Sequence, residues 1–224
     1  MKRMKILSVM MVLAFCFLAV AGCAGESDNP GRSTGNITET PTENPGKDDD
    51  TVSDEKILIA FFSRADENYG VGTVEKGNTQ ILAEMIREKT NGVLFHIQRD
   101  TPYPTSYHDC TAEAQREKGT RPALLQDTDI SDYDVIFIGY PIWYGDMPMP
   151  VYTFLENKDW HGKKVIPFST NEGSGLAGTA GTITDLCEGA TVPEALSMRG
   201  TMAQNNRTQA QQQVESWLSS LGLV

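Results

Sequence analysis

The feature of this 224-residue sequence that most restricts its fold is a regular alternation of two kinds of segment over residues 55–224. Short apolar runs, of which 134–140 is the clearest, are typical of strands that are covered on both faces of a sheet. Between these runs lie amphipathic stretches with apolar residues at helical spacing. The pattern predicts strands over 56–62, 93–98, 134–140, 164–170 and 190–198, and helices over 78–90, 106–118, 149–156, 179–187 and 206–221.

This alternation predicts an α/β fold, in which one doubly wound, five-stranded parallel sheet carries helices on both faces. Sheets of this kind bind ligands outside the carboxyl ends of their strands, near the point where the strand order reverses. We therefore expect the functional residues in the loops that follow the first, third and fourth predicted strands.

The loop after the first predicted strand delivers Gly77, Asn78 and Thr79 to the start of a helix. A helix N-terminus offers unpaired N–H groups and a partial positive charge, both of which suit a phosphate group. Ordinary capping of the helix by Asn78 explains the same residues equally well. The glycine-rich fingerprints of nucleoside triphosphate and dinucleotide sites do not occur here.

The loop after the central strand reads Gly-Tyr-Pro-Ile-Trp-Tyr-Gly-Asp-Met-Pro over residues 139–148. Trp143 and Tyr144 are adjacent aromatic residues at a strand end, where a flat ring such as an isoalloxazine would cover them. Gly145 would give the backbone the freedom to approach that ring. The alternative is an aromatic pair that packs beneath a neighbouring loop.

The loop after the fourth predicted strand, residues 170–175, is rich in backbone amides and short polar side chains. These groups suit the pyrimidine edge of a flavin. The strand-to-helix turn of a serine hydrolase is disfavoured, because Glu172 stands where that motif needs its first glycine.

Taken together, residues 56–224 resemble the flavodoxin-like family, and in particular its flavodoxin-4 type. The segments that carry the resemblance are Phe62-Ser63-Arg64, Gly77-Asn78-Thr79, the loop 139–148 and the stretch 166–175. The resemblance implies a non-covalently bound flavin mononucleotide (FMN) and no catalytic residue in the protein. The resemblance implies that Ser63, Asn78 and Thr79 hold the phosphate and that Arg64 also belongs to the cofactor site. It further implies Pro141, Ile142, Trp143, Tyr144 and Gly145 beside the ring, and Asn171, Glu172, Gly173 and Ser174 at the polar edge.

One segment departs from the pattern of the better-known flavodoxins, whose phosphate loop is compact. Here the insert 64–77 separates Ser63 from Asn78. The insert could fold over the cofactor or form a surface for a partner, and both possibilities are open at this level.

The N-terminal residues 1–22 are typical of an export signal, because three cations precede an apolar stretch that is too short to span a bilayer comfortably. This segment ends in Val-Ala-Gly before Cys23, which resembles the lipobox of bacterial lipoproteins. The resemblance implies that Cys23 carries the lipid that anchors the chain to a membrane. A plain signal peptide with an incidental Cys23 is the alternative.

Residues 24–54 carry eight acidic and two basic side chains among Gly, Ser, Thr, Asn and Pro, which predicts a flexible acidic linker. With Cys23 this linker completes the segment 23–54, between the signal and the flavodoxin-like domain 55–224. Removing residues 1–22 takes away three bases and no acids, so the formal charge falls from −11 to −14. Nucleic acid is therefore a poor partner. Pairing of Cys110 with Cys187 is left open.

The function that these features favour is FMN-based electron transfer by a protein tethered to the extracytoplasmic face of a bacterial membrane, with an unidentified redox partner outside the cytoplasm. One alternative is an FMN-dependent reductase of quinones or nitro compounds on the same scaffold. Another is a lipoprotein that has lost its flavin and uses the pocket as a binding module.

Overall fold

The computed structural model of the protein describes residues 55–224, whereas the predicted signal 1–22, the lipidated Cys23 and the linker 24–54 lie outside the described residues. The strands are β1 Ile57–Phe61, β2 Asp66–Asn68, β3 Gly72–Val74, β4 Val93–His96, β5 Val135–Pro141, β6 Lys164–Asn171 and β7 Leu196–Arg199. The helices are α1 Asn78–Thr90, α2 Tyr107–Glu117, α3 Met149–Leu155, α4 Thr179–Leu186, α5 Gly200–Asn205 and α6 Arg207–Ser220. None of these helices is long and apolar enough to cross a membrane.

Five of the strands form one parallel sheet in the order β4-β1-β5-β6-β7. The order turns back at β1, which lies between β4 and β5, as a doubly wound sheet requires. The predicted fold class is confirmed, and the carboxyl ends of all five strands meet at one edge.

Successive side chains of the buried strands point to opposite faces of the sheet. Helices cover both faces, so both sets of side chains are buried. On one face Ile59, Phe137 and Phe168 pack with apolar residues of α1, α5 and α6. On the other face Leu58 and Ile138 pack with residues of α3 and α4. The two clusters explain why the strand sequences are continuously apolar rather than alternating.

The last predicted strand was placed too early, because the structure has an irregular segment over 190–195 and begins β7 at Leu196. Only an isolated bridge between Lys164 and Thr191 continues the pairing upstream. Pro193 lies in this segment, and proline cannot donate to a sheet ladder.

Two elements are present that the sequence pattern did not predict. The insert 64–77 contains the antiparallel β2–β3 hairpin, and the six-residue helix α5 follows β7 directly. Both elements lie at the carboxyl edge of the sheet, so they bear on the site described next.

Candidate functional site

A cleft opens at the carboxyl edge of the sheet, with about 800 Å³ of space between its walls when the part open to solvent is counted. It collects side chains from the insert, from α1 and α2 and from the loops after β5 and β6. Its lining residues are Arg64, Asn68, Tyr69, Asn78, Tyr107, Cys110, Thr111, Ala114, Pro141, Ile142, Trp143, Tyr144, Thr170, Asn171 and Glu172.

Eight of the residues predicted from the sequence line this cleft, namely Arg64, Asn78, Pro141, Ile142, Trp143, Tyr144, Asn171 and Glu172. Five others are placed beside it. Ser63 and Thr79 are buried in the frame of the cleft, whereas Gly145, Gly173 and Ser174 are exposed in the adjoining loops.

The N-terminus of α1 is capped by a side chain that lies well before the helix in the sequence. Gly77 occupies the N-cap position without a side chain to offer, and the Ser63 hydroxyl oxygen accepts from the Gln80 backbone N–H at 3.1 Å instead. A Cβ atom on Gly77 would lie 2.3 Å from the Arg64 carbonyl oxygen and from Ser63 Oγ. Only glycine therefore allows β1 and α1 to approach this closely.

The first turn of α1 retains free donors. The first N–H groups of a helix have no acceptor within the helix, and within residues 55–224 no acceptor takes the backbone N–H of Asn78 or of Thr79. Arg64 Nε is also buried without a hydrogen-bond partner. These groups, with Ser63 and Gly77, form what we call the α1 end of the cleft, and their chemistry suits an anion.

The Arg64 guanidinium group ties the insert to the segment before α2. It donates to the carbonyl oxygens of Glu67 at 2.6 Å, Pro104 at 2.7 Å and Thr105 at 2.6 Å. Among the residues that the structure describes, none forms a salt bridge with Arg64. Within residues 55–224 its charge is therefore met by carbonyl oxygens of the insert and of the segment before α2 rather than by a carboxylate.

Helix α5 holds the opposite side of the α1 end. Gln204 Nε2 donates to the Lys76 carbonyl at 2.7 Å and to Asn78 Oδ1 at 2.9 Å. The Glu172 carboxylate accepts from the Thr201 backbone N–H at 2.7 Å and from the Thr201 hydroxyl at 3.0 Å. Two of the predicted cofactor residues therefore have structural partners on a helix that sequence analysis missed.

Two further polar residues of the predicted site, Thr79 and Asn171, are also hydrogen-bonded within the chain. The hydroxyls of Thr79 and Thr170 share a buried hydrogen bond of 2.8 Å. Asn171 Oδ1 accepts from the N–H groups of Gly173 and Gly175 at 2.8 and 3.2 Å, which fixes the turn after β6. These side chains fix the shape of the loops, and Asn171 occupies two of the backbone donors of its own turn.

The loop after β5 displays Tyr144 in an unfavourable backbone conformation. Trp143 and Asp146 exchange two backbone hydrogen bonds of 2.8 and 3.0 Å, and the residues between them, Tyr144 and Gly145, have φ angles of 51° and 76°. Turns of this geometry favour Asn-Gly, and a bulky residue with positive φ is uncommon. The Tyr144 side chain is nevertheless 53% exposed, and its hydroxyl donates to the Thr111 carbonyl at 3.3 Å.

Trp143 and Tyr144 are therefore not equivalent. Trp143 is half-buried and meets Phe62 and Tyr103 edge to face, with ring centroids 5.3 and 5.2 Å apart. Tyr103 in turn lies beneath the Arg99 guanidinium, 4.0 Å from the ring centroid. Trp143 is a fixed wall of the cleft, whereas Tyr144 stands free at its mouth.

Two further tyrosines at the mouth were missed as site residues. Tyr69 is 66% exposed in the hairpin, Tyr107 is 39% exposed at the start of α2, and their ring centroids lie 6.0 Å apart. We call Tyr69, Tyr107 and Tyr144 the tyrosine rim. A tyrosine followed by Gly70 in the insert was the signal that the sequence offered for Tyr69. No local pattern placed α2 beside the cleft.

The two cysteines of the described domain, Cys110 and Cys187, are free and buried. Burial raises the pKa of the Cys187 thiol to about 12 and also raises that of Cys110. Both thiols are thus held in the protonated, unreactive form.

Comparison with known proteins is consistent with this architecture. No curated protein matches the sequence. Among solved structures, a candidate flavoprotein from Bacteroides eggerthii is 26% identical with a TM-score of 0.58, over 75% of this chain and 98% of that chain. One from Bacteroides uniformis is 25% identical with a TM-score of 0.56, over 72% and 98%. A flavoprotein in complex with FMN from Lactobacillus acidophilus is 22% identical with a TM-score of 0.49, over 66% and 94%.

The sequence model of the flavodoxin family, in its Flavodoxin_4 form, matches residues 56–221. This range begins one residue before β1 and ends one residue after α6, so it contains every strand and helix described above. The chain belongs to the flavodoxin family.

Proposed function

We propose that the domain binds FMN in the cleft and uses it for electron transfer. The observation that carries this proposal is that a single cleft joins free helix N–H groups at one end to an exposed aromatic rim at the other. FMN has the same two parts, a phosphate and a flat ring system. The alternative of a flavin-free binding module gives no reason for this combination.

The α1 end fits the phosphate. Among residues 55–224, no acceptor takes the backbone N–H groups of Asn78 and Thr79, no carboxylate pairs with Arg64, and Arg64 Nε has no partner. Gly77 has no side chain to cover the start of α1, because Ser63 Oγ and the Arg64 carbonyl oxygen occupy the place where its Cβ atom would lie. A phosphate dianion would be bound there by backbone dipoles and one cation.

The other end fits the ring. Trp143 is fixed by Phe62 and Tyr103, and Tyr144 is held at the tip of its turn despite the backbone strain. Strain of about 1–2 kcal/mol at a single residue persists where the surrounding structure imposes it, and such residues cluster at ligand sites. We therefore assign Trp143 and Tyr144 to the ring.

The bound flavin supplies the redox chemistry, and the protein supplies binding, orientation and electrostatics. In this chain α1 would orient the phosphate, and the turn 171–175, whose Gly173 and Gly175 N–H groups are held by Asn171 Oδ1, would lie beside the polar edge. The aromatic side chains exclude water from the ring. No side chain of the cleft needs to act as an acid or base for electron transfer.

A titration of the full chain with FMN, followed by absorption and flavin fluorescence, tests the proposal directly. We expect stoichiometric binding with a perturbed flavin spectrum, and a Tyr144→Ala variant that binds about tenfold more weakly. Leu125→Ala is the matched control, because Leu125 is 60% exposed and lies outside the cleft. A chain that leaves the FMN spectrum unchanged would show that the cleft serves another ligand.

The cellular location is part of the same proposal. An export signal over 1–22 and a lipid on Cys23 would place the domain on the outer side of a cytoplasmic membrane, at the end of an acidic tether. Its redox partner would then have to be extracytoplasmic as well. Fractionation of cells tests this: Cys23→Ser is expected to move the protein out of the membrane fraction, and recovery of the unaltered chain from the cytosol would refute it.

A further inference from the structure

A buried group of charged side chains lies next to the cleft without lining it. Arg99, which follows β4, is placed between two carboxylates of α2. Its Nη1 donates to Glu117 Oε1 at 2.9 Å, and its Nη2 donates to Glu113 Oε1. The side chains of Arg99 and Glu117 are each 9% exposed. Among the ion pairs formed by residues 55–224, this one has the least exposed side chains.

The same network holds the ring of Tyr103. The Tyr103 hydroxyl donates to the other oxygen of the Glu117 carboxylate, and the Arg99 guanidinium lies over the ring, 4.0 Å from its centroid. Arg99 also donates to the carbonyl oxygens of Thr101 and Pro102, which closes the backbone turn that leads to Tyr103. Burial raises the pKa of the Tyr103 phenol, and the hydrogen bond to Glu117 acts in the same direction, so the phenol remains a donor.

Tyr103 links this network to the wall of the cleft. Its ring meets Trp143 edge to face with the centroids 5.2 Å apart, and it meets Phe62 in the same way at 5.9 Å. Phe62 is buried in the core and also contacts Trp143. Trp143 lines the cleft, whereas Tyr103 and Phe62 do not. The place of the Trp143 ring is therefore set by two other rings, one fixed in the core and one held by Arg99 and Glu117.

Stability alone is a poor explanation for these buried charges. Taking two charges out of water has a large desolvation cost, and apolar side chains of similar volume often stabilise a protein as well as a buried ion pair does. A buried ion pair differs from apolar residues in that its hydrogen bonds are directional, so it fixes the orientation of the groups that it contacts. Here those groups are Tyr103 and, through its ring, Trp143.

We propose that Tyr103, held by Arg99 and Glu117, is a positioning residue of the flavin site, which fixes the Trp143 ring before FMN binds. This inference rests on the proposed function, and it adds to the site residues that do not touch the cofactor. A wall that is already oriented binds its ligand at a lower entropic cost than a mobile one. Loss of the network should therefore weaken the contact of Trp143 with the flavin without weakening the fold.

The first test removes both charges of the buried pair together in the full chain. Arg99→Met/Glu117→Met leaves neither charge without its partner, and Glu113, at 30% side-chain exposure, remains hydrated. The urea midpoint of this variant should be no lower than that of the unaltered chain, whereas its affinity for FMN should fall about fivefold. At saturating FMN its flavin fluorescence should be higher, because a mobile Trp143 quenches the excited flavin less efficiently.

Lys89→Met/Glu215→Met is the matched control. It removes an ion pair of 2.6 Å between α1 and α6, and neither residue lines the cleft. This variant should match the unaltered chain in urea midpoint, in affinity for FMN and in flavin fluorescence.

The second test separates the ring of Tyr103 from its hydroxyl. Tyr103→Phe keeps the ring beside Trp143 but loses the bond to Glu117, so its affinity for FMN should fall about threefold. Tyr103→Leu also removes the ring, and its affinity should fall about tenfold.

Quenching of tryptophan fluorescence by acrylamide gives a readout that needs no FMN. The chain has three tryptophans, and Trp160 and Trp217 are buried, so acrylamide reports chiefly on the half-buried Trp143. Quenching should increase in Tyr103→Leu and, to a smaller extent, in Arg99→Met/Glu117→Met. Leu125→Ala should not change it.

The possible results separate this inference from the proposed function. Unchanged FMN affinity and flavin fluorescence in the double methionine variant, or unchanged acrylamide quenching in Tyr103→Leu, would refute the positioning role while FMN binding stands. A urea midpoint that fell together with the affinity in the double methionine variant would make the network a purely structural element, which also refutes the inference. Failure of the unaltered chain to bind FMN would refute the proposed function, and the inference with it.

Discussion

At the α1 end of the cleft the side chains are bonded to other parts of the protein, whereas at the tyrosine rim the rings face solvent. Ser63 caps α1 and Asn78 is held by Gln204, so these polar groups frame the site. Tyr69, at 66% exposure, and Tyr144, at 53%, have little packing to hold them. The difference indicates that folding fixes the side chains of the α1 end, whereas it leaves the rings of the rim free to contact a ligand.

The largest effect is expected from breaking the α1 end at Gly77. In Gly77→Ala the new Cβ would meet backbone and side-chain atoms at 2.3 Å, so β1 and α1 must separate. Overpacking of this kind costs about 1–3 kcal/mol of unfolding free energy, and we expect affinity for FMN to fall more than tenfold. Urea unfolding and FMN titration measure the two effects.

Gly181→Ala is the matched control for this substitution. Gly181 lies in α4, and a Cβ atom there would have no neighbour within 4 Å. Because alanine favours a helix over glycine by up to about 1 kcal/mol, this variant should be as stable as the unaltered chain or more stable. A Gly77→Ala protein that behaved like the control would contradict the close packing of the α1 end.

At the rim, Tyr144→Asn should raise the stability of the fold and lower the affinity for FMN. Asparagine followed by Gly145 suits a turn whose two central residues have positive φ, so the free energy of unfolding should rise by about 0.5–1 kcal/mol. Affinity for FMN should fall about tenfold, because the stacking ring is lost. A variant that lost stability and binding together would show that Tyr144 supports the fold, as the α1 end does.

Ser63→Ala tests whether the Ser63 hydroxyl only caps α1 or also contacts the phosphate of FMN. The Gln80 N–H would lose its acceptor, which should lower the free energy of unfolding by about 1 kcal/mol. If Ser63 only frames the site, affinity for FMN should fall less than threefold. A loss of tenfold or more would support the sequence prediction that its hydroxyl binds the phosphate directly.

The smallest effect concerns His96, which stacks on Phe61 and donates through Nε2 to the Ser63 carbonyl at 3.0 Å. Burial lowers the pKa of His96 below 6.5, although the hydrogen bond opposes this effect. A lowered pKa means that the folded state resists protonation, so its stability is complete above pH 6.5 and declines as the pH falls below that value.

His96→Gln removes this titration and keeps a side-chain amide that can donate to Ser63. The difference in unfolding free energy between the unaltered chain and this variant should therefore shrink from about pH 7.5 to about pH 5.5. Chemical unfolding at each pH gives the comparison. A difference that stayed constant would mean that His96 does not couple β4 to the α1 end through its protonation state.

Much of the fold was predictable from the sequence. The helices α1, α2, α3, α4 and α6 lie within two residues of their predicted bounds, and so do four of the five sheet strands at their N-terminal ends. These segments have strong local periodicity. The hairpin β2–β3 and helix α5 were not predicted, because they are short and are held by contacts with distant segments. Arg64 ties the insert to the carbonyl oxygens of Pro104 and Thr105. Gln204 of α5 donates to Asn78, and Thr201 of α5 donates to Glu172.

The sequence by itself determined the α/β sheet, its polarity and therefore the edge at which a ligand site must lie, because hydrophobic periodicity and chain connectivity are local properties. Only the tertiary structure decided which side chains of that edge frame the cleft and which remain free. It brought Tyr69, Tyr107 and Tyr144 to one rim from three separate elements. Their convergence depends on contacts between segments that are distant along the chain, and these contacts leave no periodic signal in the sequence.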